Sequence, residues 1–228
     1  MAKCHPDWKR LYYEVMGVLF SYLSWALGIG IACSRSWRVW ELDSKDYPIV
    51  FFGLWDVVYL KVVNISGSMH ELPSSFRMNE SWVISNEIYY GQGLILLANF
   101  IKLATLFFCS LAFFVTYING PYQEFRRMYY NISASLLFFS CGCTLLTVIW
   151  NFTAEFYGQS TFDFPSNFPV GREMVNQKHM SYVFPVGITT GILSLISAIV
   201  FSCDIDFIRQ CSQVRPVPGV TTSKQRPD

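Results

Sequence analysis

The chain has 228 residues and a formal net charge of +1, and 52% of its residues are hydrophobic and 18% aromatic. Only 14% are charged, compared with about 25% in typical soluble domains. This deficit of charge indicates a protein of the lipid bilayer. The near-neutral balance gives no reason to expect a nucleic-acid partner.

Four apolar runs follow one another along the chain, and each has about the 20 residues that a helix needs to cross the hydrocarbon layer. The polar remainder is too short to cover four such helices in a soluble protein. The first run is too long for the apolar part of a signal peptide, so we expect it to remain as a signal anchor. The predicted spanning helices are 13–33, 92–115, 132–150 and 183–203.

Basic residues near the ends of these runs predict the orientation of the chain, because cytoplasmic loops carry an excess of lysine and arginine. They lie before the first run, between the second and third runs, and after the fourth. We therefore expect both termini, including the tail 204–228, to be cytoplasmic, and the segments 34–91 and 151–182 to be extracellular. The basic residues are Lys3, Lys9, Arg10, Arg126, Arg127, Arg209, Arg215, Lys224 and Arg226.

The first extracellular segment has the composition of β-strands. Residues 37–40 and 49–52 are rich in aromatic and β-branched side chains, and turn-forming residues stand at 46–48 and 64–67. A small sheet on the membrane is therefore predicted. Residues 71–91 contain few aliphatic side chains, and we predict that they form a loop.

Two short motifs in this segment carry a family resemblance. Trp37-Arg38-Val39 follows the first apolar run, and Gly53-Leu54-Trp55 places its tryptophan 18 positions after Trp37. The pair resembles the first extracellular segment of claudins, the tight-junction proteins, and of the wider superfamily that includes peripheral myelin protein. The resemblance implies that the motif residues anchor the sheet at the membrane. These residues are Trp37, Arg38, Gly53, Leu54 and Trp55.

The chain departs from the family in its cysteines. In claudins two cysteines follow the Gly-Leu-Trp motif, but here Val58 stands three residues after Trp55, and Gly67, Ser68 and Met69 lie near the second position. Neither extracellular segment contains a cysteine away from the membrane, so no disulfide is available, although such a bond contributes about 2–4 kcal/mol. The chain therefore resembles a divergent branch of the family. Helix packing, the sheet's own aromatic content or a partner must hold the sheet.

The second extracellular segment carries a further similarity. Residues 155–158 read Glu-Phe-Tyr-Gly and resemble the Asp-Phe-Tyr-Asn motif of claudins, which in that family contacts the facing cell. The resemblance makes Phe156 and Tyr157 candidates for contact with the opposite cell. Three more phenylalanines would enlarge such an adhesive surface if they are exposed, or would pack on the sheet or the lipid interface. They are Phe162, Phe164 and Phe168.

Four residues are candidates for covalent modification. Asn64 and Asn79 each begin an Asn-x-Ser sequence that accepts N-linked glycan on the extracellular side. Cys203 and Cys211 lie at the cytoplasmic end of the fourth run and resemble the juxtamembrane palmitoylation sites of claudins.

The C-terminus differs from that of most claudins. Claudins usually finish in Tyr-Val, which docks as an added strand in a PDZ groove. This chain finishes in Pro227-Asp228, so the expected coupling to PDZ scaffolds is in doubt.

Lys102 stands about ten residues inside the outer end of the second run, at a depth where a charge is costly. We expect its stem to extend outward to the interface or its amine to contact Asn99. An ion or proton relay would need an intramembrane acid, and no acid lies in the other spans beyond Glu14 at the cytoplasmic edge.

No catalytic residue, cofactor or metal ligand is predicted. The chain has three histidines, no nucleophile with a base at a recognisable spacing, and no glycine loop of the kind that binds phosphate. Cys141 and Cys143 lie two apart on a predicted helix, where their side chains diverge and cannot hold one metal ion. We therefore expect that the protein is not an enzyme.

Together these features predict a mainly α membrane protein with one claudin-like domain over 1–228. The resemblance implies a left-handed four-helix transmembrane bundle, topped by a small extracellular antiparallel sheet. The implied function is cell adhesion in tight-junction strands that contribute to a paracellular barrier, with itself or other claudin-like proteins as partners in the same membrane and on the facing cell. The alternative is a regulatory subunit of another membrane protein, such as a channel, because the superfamily includes such subunits.

Overall fold

The structure is a computed structural model, and it describes residues 8–65, 68–78, 82–118, 123–162, 164–165 and 168–213. Its α-helices in this part of the chain are α1 (Trp8–Ala32), α2 (Asn86–Tyr117), α3 (Gln123–Phe156) and α4 (Val183–Gln213). All four are long and apolar enough to cross a membrane. The prediction of a multi-pass membrane protein is confirmed.

The helices are longer than the apolar runs from which they were predicted. The second helix begins at Asn86 rather than at residue 92, and the third covers Gln123–Phe156 rather than 132–150. Helical hydrogen bonding continues through polar residues beyond the hydrocarbon layer, so hydropathy alone underestimates these lengths. Residues 86–91 and 151–156 are therefore helical extensions of the bundle.

Small residues bring neighbouring helices close together. A Cβ added at Gly187 or Gly191 of α4 would lie 2.5 Å from a side-chain carbon of Val148 or Leu145 of α3. Real Cβ atoms essentially never lie so close to another heavy atom, so a larger residue at either position would require the α3 side chain to move. Gly187 and Gly191, which are four residues apart on α4, therefore lie in a helix–helix interface.

The contact between α1 and α4 is polar. Ser21 hydrogen-bonds Ser197 and Ser24 hydrogen-bonds Ser194, both with 2.6 Å between the hydroxyl oxygens. All four serines are buried. Hydroxyl pairs of this kind join helices in a lipid environment, where apolar side chains have no preference for one another over the lipid.

The part of the chain outside the four helices contains a five-stranded antiparallel sheet in the order β4-β3-β2-β1-β5. The fifth strand comes from the segment between α3 and α4 and pairs with the first strand. The predicted mainly α membrane fold with a small antiparallel sheet is therefore confirmed. The strands are β1 (Arg38–Leu42), β2 (Ile49–Phe52), β3 (Asp56–Ile65), β4 (Ser68–Arg77) and β5 (Val175–His179).

The prediction that residues 71–91 form a loop is wrong. The first part of this segment belongs to β4, which pairs with β3 along the whole length of both strands, and its last part begins α2. Pro73 and the scarcity of aliphatic residues concealed the strand. At the edge of a sheet a proline is tolerated, because its missing N–H can face away from the neighbouring strand.

Of the two alternatives for the three phenylalanines after α3, their exposure as adhesive area is wrong. Phe162 and Phe168 are 2% and 7% exposed, and Phe164 packs against the same cluster of buried residues. The alternative, that they pack on the sheet, is right. The physical reason is that burial of large rings is the main source of hydrophobic stabilisation available to a small sheet. The aromatic cluster comprises Trp40, Phe52, Trp82, Phe162, Phe164 and Phe168.

Candidate functional site

The two tryptophans of the resemblance bind the end of α1. Trp37 Nε1 donates a hydrogen bond to the carbonyl of Ile31, and Trp55 Nε1 donates to the carbonyl of Ala32, each at 2.9 Å. The last carbonyls of a helix have no partner within the helix. The two indoles therefore cap α1 and attach the sheet to it.

Gly53 lies where two backbone segments meet. A Cβ at this position would stand 3.0 Å from backbone atoms of Ser34, Arg35 and Asp56. Backbone atoms cannot move aside as flexible side chains can, so a larger residue would separate the segments. Leu54, the next residue, is completely buried in the core beneath the sheet.

Arg38 connects the sheet to two helices, although only 3% of it is exposed. One guanidinium nitrogen lies 2.8 Å from Glu87 Oε1 at the start of α2, and the other lies 3.1 Å from Glu155 Oε2 near the end of α3. The second nitrogen also donates to Ser160 Oγ at 2.8 Å. A single arginine thus joins β1, α2 and α3.

A second cation completes this group on the other side of Glu155. Lys178 on β5 places its amine 3.1 Å from Glu155 Oε1, and the same oxygen accepts a hydrogen bond from Trp40 Nε1 at 2.6 Å. The amine also lies 5.1 Å from the centre of the Trp40 ring. We call the four ionic residues the charge cluster: Arg38, Glu87, Glu155 and Lys178.

The charge cluster balances two cations against two carboxylates. A buried ion pair is maintained only when its geometry and remaining hydrogen bonds offset the loss of hydration. Removal of one partner leaves a buried charge without compensation, which typically costs about 3–5 kcal/mol. The cluster therefore joins the sheet to the bundle in a chain that has no disulfide among its described residues.

Sequence reasoning included Arg38 in the anchor motif but missed the rest of the charge cluster. Glu155 was assigned to the Glu-Phe-Tyr motif, and Glu87 and Lys178 were not singled out. A signal was present, because an arginine within a strand of alternating buried residues requires a carboxylate partner. The partners come from sequence positions far apart, so the pattern alone does not identify them.

The candidate contacts to the facing cell lie beside the charge cluster. Phe156 is the last residue of α3 and is 46% exposed, and Tyr157 follows it and is 78% exposed. The Phe156 ring also packs against Phe152, with 4.6 Å between ring centres. Their exposure leaves them accessible, and their contact with another cell stays a prediction.

The candidate modification sites are only partly described. Asn64 lies near the end of β3 and pairs with Met69 across the hairpin, whereas Asn79 falls outside the described residues. Cys203 is exposed near the end of the predicted fourth span. Cys211 is within α4, but its side chain is outside the described part of the structure.

Lys102 does not extend outward to the interface. It is 1% exposed, and its amine donates to Thr144 Oγ1 of α3 at 3.3 Å. Asn99 uses its own amide for the carbonyls of Gly28 and Ile95. The expectation of a snorkelling lysine is therefore wrong, because the small residue Gly28 on α1 leaves room for polar groups between the helices.

Comparison with protein-family models gives no match, and comparison with curated proteins gives no significant sequence relative. The functional argument therefore depends on the geometry of the chain itself.

Proposed function

We propose that the chain is a claudin-like adhesion protein of the plasma membrane, with both termini in the cytoplasm and the sheet facing the neighbouring cell. It assembles with itself or with other claudin-like proteins in tight-junction strands and contributes to a paracellular barrier. We expect no catalytic activity.

One observation carries this proposal: the residues behind the resemblance meet at a single joint between the sheet and the bundle. Trp37 and Trp55 cap α1, Gly53 permits close backbone packing, Leu54 fills the core, and Arg38 reaches two further helices. The resemblance attributes a single role to these five residues, and their arrangement supports that role.

The outer surface of the sheet supports adhesion. Its two edge strands, β4 and β5, are exposed along most of their length. Edge strands present unpaired backbone groups, which favour association with another chain. The exposed Phe156 and Tyr157 lie on the same side of the membrane as the sheet and add apolar area to this surface.

The test is expression of the tagged chain in cells that lack junctional strands. We expect enrichment at contacts between two expressing cells, absence from contacts with a non-expressing neighbour, and intramembrane strands in freeze-fracture images. The variant Phe156→Ala/Tyr157→Ala is expected to lose the enrichment while reaching the surface normally. The control Met180→Ala removes another exposed apolar side chain of the same segment. Uniform membrane staining without strands would contradict the proposal.

A second function, as a subunit of another membrane protein, is favoured by one separate feature. A groove of about 430 Å³ lies between α1 and α2 and is lined mainly by apolar side chains, including Trp25, Leu103 and Phe107. Tyr22 and Ser110 form a 3.1 Å hydrogen bond across it. A photo-crosslinking residue at Phe107 tests this function. Specific crosslinks to a different membrane protein would support it, and crosslinks to lipid alone would contradict it.

A further inference from the structure

A small cavity lies at the joint between the sheet and the bundle. It has a volume of about 20 Å³ and is lined by residues of α3, β1, β5 and the start of α4. A water molecule requires about 10–15 Å³ of this kind of volume and two to four polar partners. The cavity is therefore large enough for one water molecule and too small for a larger ligand.

Asn151 supplies the first polar partner. It is 5% exposed, and its Nδ2 donates to the carbonyls of Glu87 and Thr147, both at 3.0 Å. These two bonds use the amide hydrogens and so define the orientation of the amide group. Its Oδ1 is buried and has no hydrogen-bond partner among the described residues.

Glu155 supplies the second partner, one helical turn further along α3. It is 6% exposed, and its Oε1 is occupied by Trp40 and Lys178. Its Oε2 lies 3.1 Å from a guanidinium nitrogen of Arg38 but accepts no hydrogen bond from any described residue. Both Asn151 and Glu155 line the cavity. The two buried acceptors thus belong to residues that line one space of the size of a water molecule.

We propose that this cavity binds one ordered water molecule, which donates its two hydrogens to Asn151 Oδ1 and Glu155 Oε2. The charged residues beside the cavity favour a neutral ligand. The charge cluster is already balanced, and Arg38 beside the cavity disfavours a metal cation. An anion is disfavoured as well, because Asn151 and Glu155 present acceptor oxygens and have no free hydrogen to donate to it. Water is the small ligand that donates twice and carries no charge.

The bound water makes the joint a continuous hydrogen-bonded unit. It links the α3 residues Asn151 and Glu155, which already reach α2, β1 and β5 through the bonds described above. This inference is independent of the proposed function, because it depends only on the packing of the sheet on the bundle.

The direct test is a structure of the full-length chain in lipid at about 2 Å resolution. We expect density within hydrogen-bond distance of both Asn151 Oδ1 and Glu155 Oε2. An empty cavity would overturn the proposal if waters at comparable depth elsewhere are resolved. Closure of the cavity by a rearranged side chain would also overturn it.

Water-edited solid-state NMR of the chain in bilayers, with labelled asparagine, provides the second test. The Asn151 Cγ signal, assigned from its loss in Asn151→Ser, is expected to gain magnetisation from water as fast as an exposed asparagine. Val148→Ile places an extra methyl group at a residue that lines the cavity, and it should slow this gain at least threefold. The control Val83→Ile adds the same group at an exposed position. Slow transfer in the unsubstituted chain, or transfer unchanged by Val148→Ile, would overturn the proposal.

Discussion

Val58 on β3 lies directly opposite Ser75 on β4 in the antiparallel ladder. The first of these positions is where the family resemblance expects a cysteine. Spacing along the sequence placed the second near Gly67, Ser68 and Met69, but in the structure Ser68 pairs with Ile65 at the hairpin end. The hairpin is thus longer than the resemblance implies.

This pairing predicts that Val58→Cys/Ser75→Cys forms a disulfide. Opposite residues of an antiparallel pair have Cα atoms about 4.5–5.5 Å apart, which is within the range of natural disulfides. For a loop of this size, the bond should contribute about 3 kcal/mol and raise the temperature of unfolding. Non-reducing electrophoresis and thermal unfolding with and without reductant measure both effects. The pair Val58→Cys/Ser68→Cys is the control and should stay reduced. Equal crosslinking of the two pairs would contradict the register of β3 and β4.

The charge cluster predicts a strong dependence on Arg38. Arg38→Met leaves the carboxylates of Glu87 and Glu155 buried, with Lys178 beside Glu155 as the remaining cation of the cluster, and we expect a loss of about 3–5 kcal/mol in stability. Arg77→Met removes an exposed arginine from the same sheet and should change the stability by less than about 0.5 kcal/mol. Thermal unfolding of the two purified variants provides the comparison. Equal stability would show that Arg38 does not hold the sheet.

The interface between α3 and α4 predicts a cost for any side chain at Gly187. In Gly187→Ala the new methyl group would meet Val148 at 2.5 Å and force the helices apart, at a cost of about 1–3 kcal/mol. Gly142→Ala on α3 has no heavy atom within 4 Å of the new group and should be neutral or slightly stabilising. Thermal unfolding in the same detergent distinguishes the two. A neutral Gly187→Ala would mean that the helices are further apart than described here.

The environment of Lys102 predicts that its charge is dispensable for folding. Its amine has one described partner, the hydroxyl of Thr144, which also bonds the Ser140 carbonyl. In Lys102→Met a chain of similar length replaces a buried amine whose loss of hydration is poorly compensated. We expect stability and surface expression to be equal or higher. A clear loss of stability would indicate that the amine has a further binding role.

The sequon at Asn64 provides a test of topology. It lies near the end of β3, which pairs with the edge strand β4 on the opposite side of the sheet from β5. If this side is extracellular, digestion with a glycosidase should increase the electrophoretic mobility of the protein. Asn64→Gln should reduce or abolish the shift, whereas Ser66→Thr preserves the sequon and should retain it. A shift unaffected by Asn64→Gln would locate the glycan elsewhere.

The parts of the fold that could be predicted are those set by local sequence patterns. Long apolar runs identified the four helices, and alternating aromatic and β-branched residues identified β1 and β2. Strand β4 was missed because its polar residues and Pro73 make a strand only through their pairing with β3. The partners of Arg38 were missed for the same reason. Glu87 and Glu155 are distant from it in sequence, and only the assembled bundle brings them together.

The capping of α1 by Trp37 and Trp55 also has a mechanical consequence. Because two indoles bind the last helical carbonyls, the first helix and the sheet move together. A spanning helix changes its tilt when the thickness of the surrounding bilayer changes. The sheet is also joined to α2 and α3 through Arg38. A change of lipid composition that tilts the bundle will therefore turn the sheet with it, so that the thickness of the membrane sets the angle at which the sheet is presented.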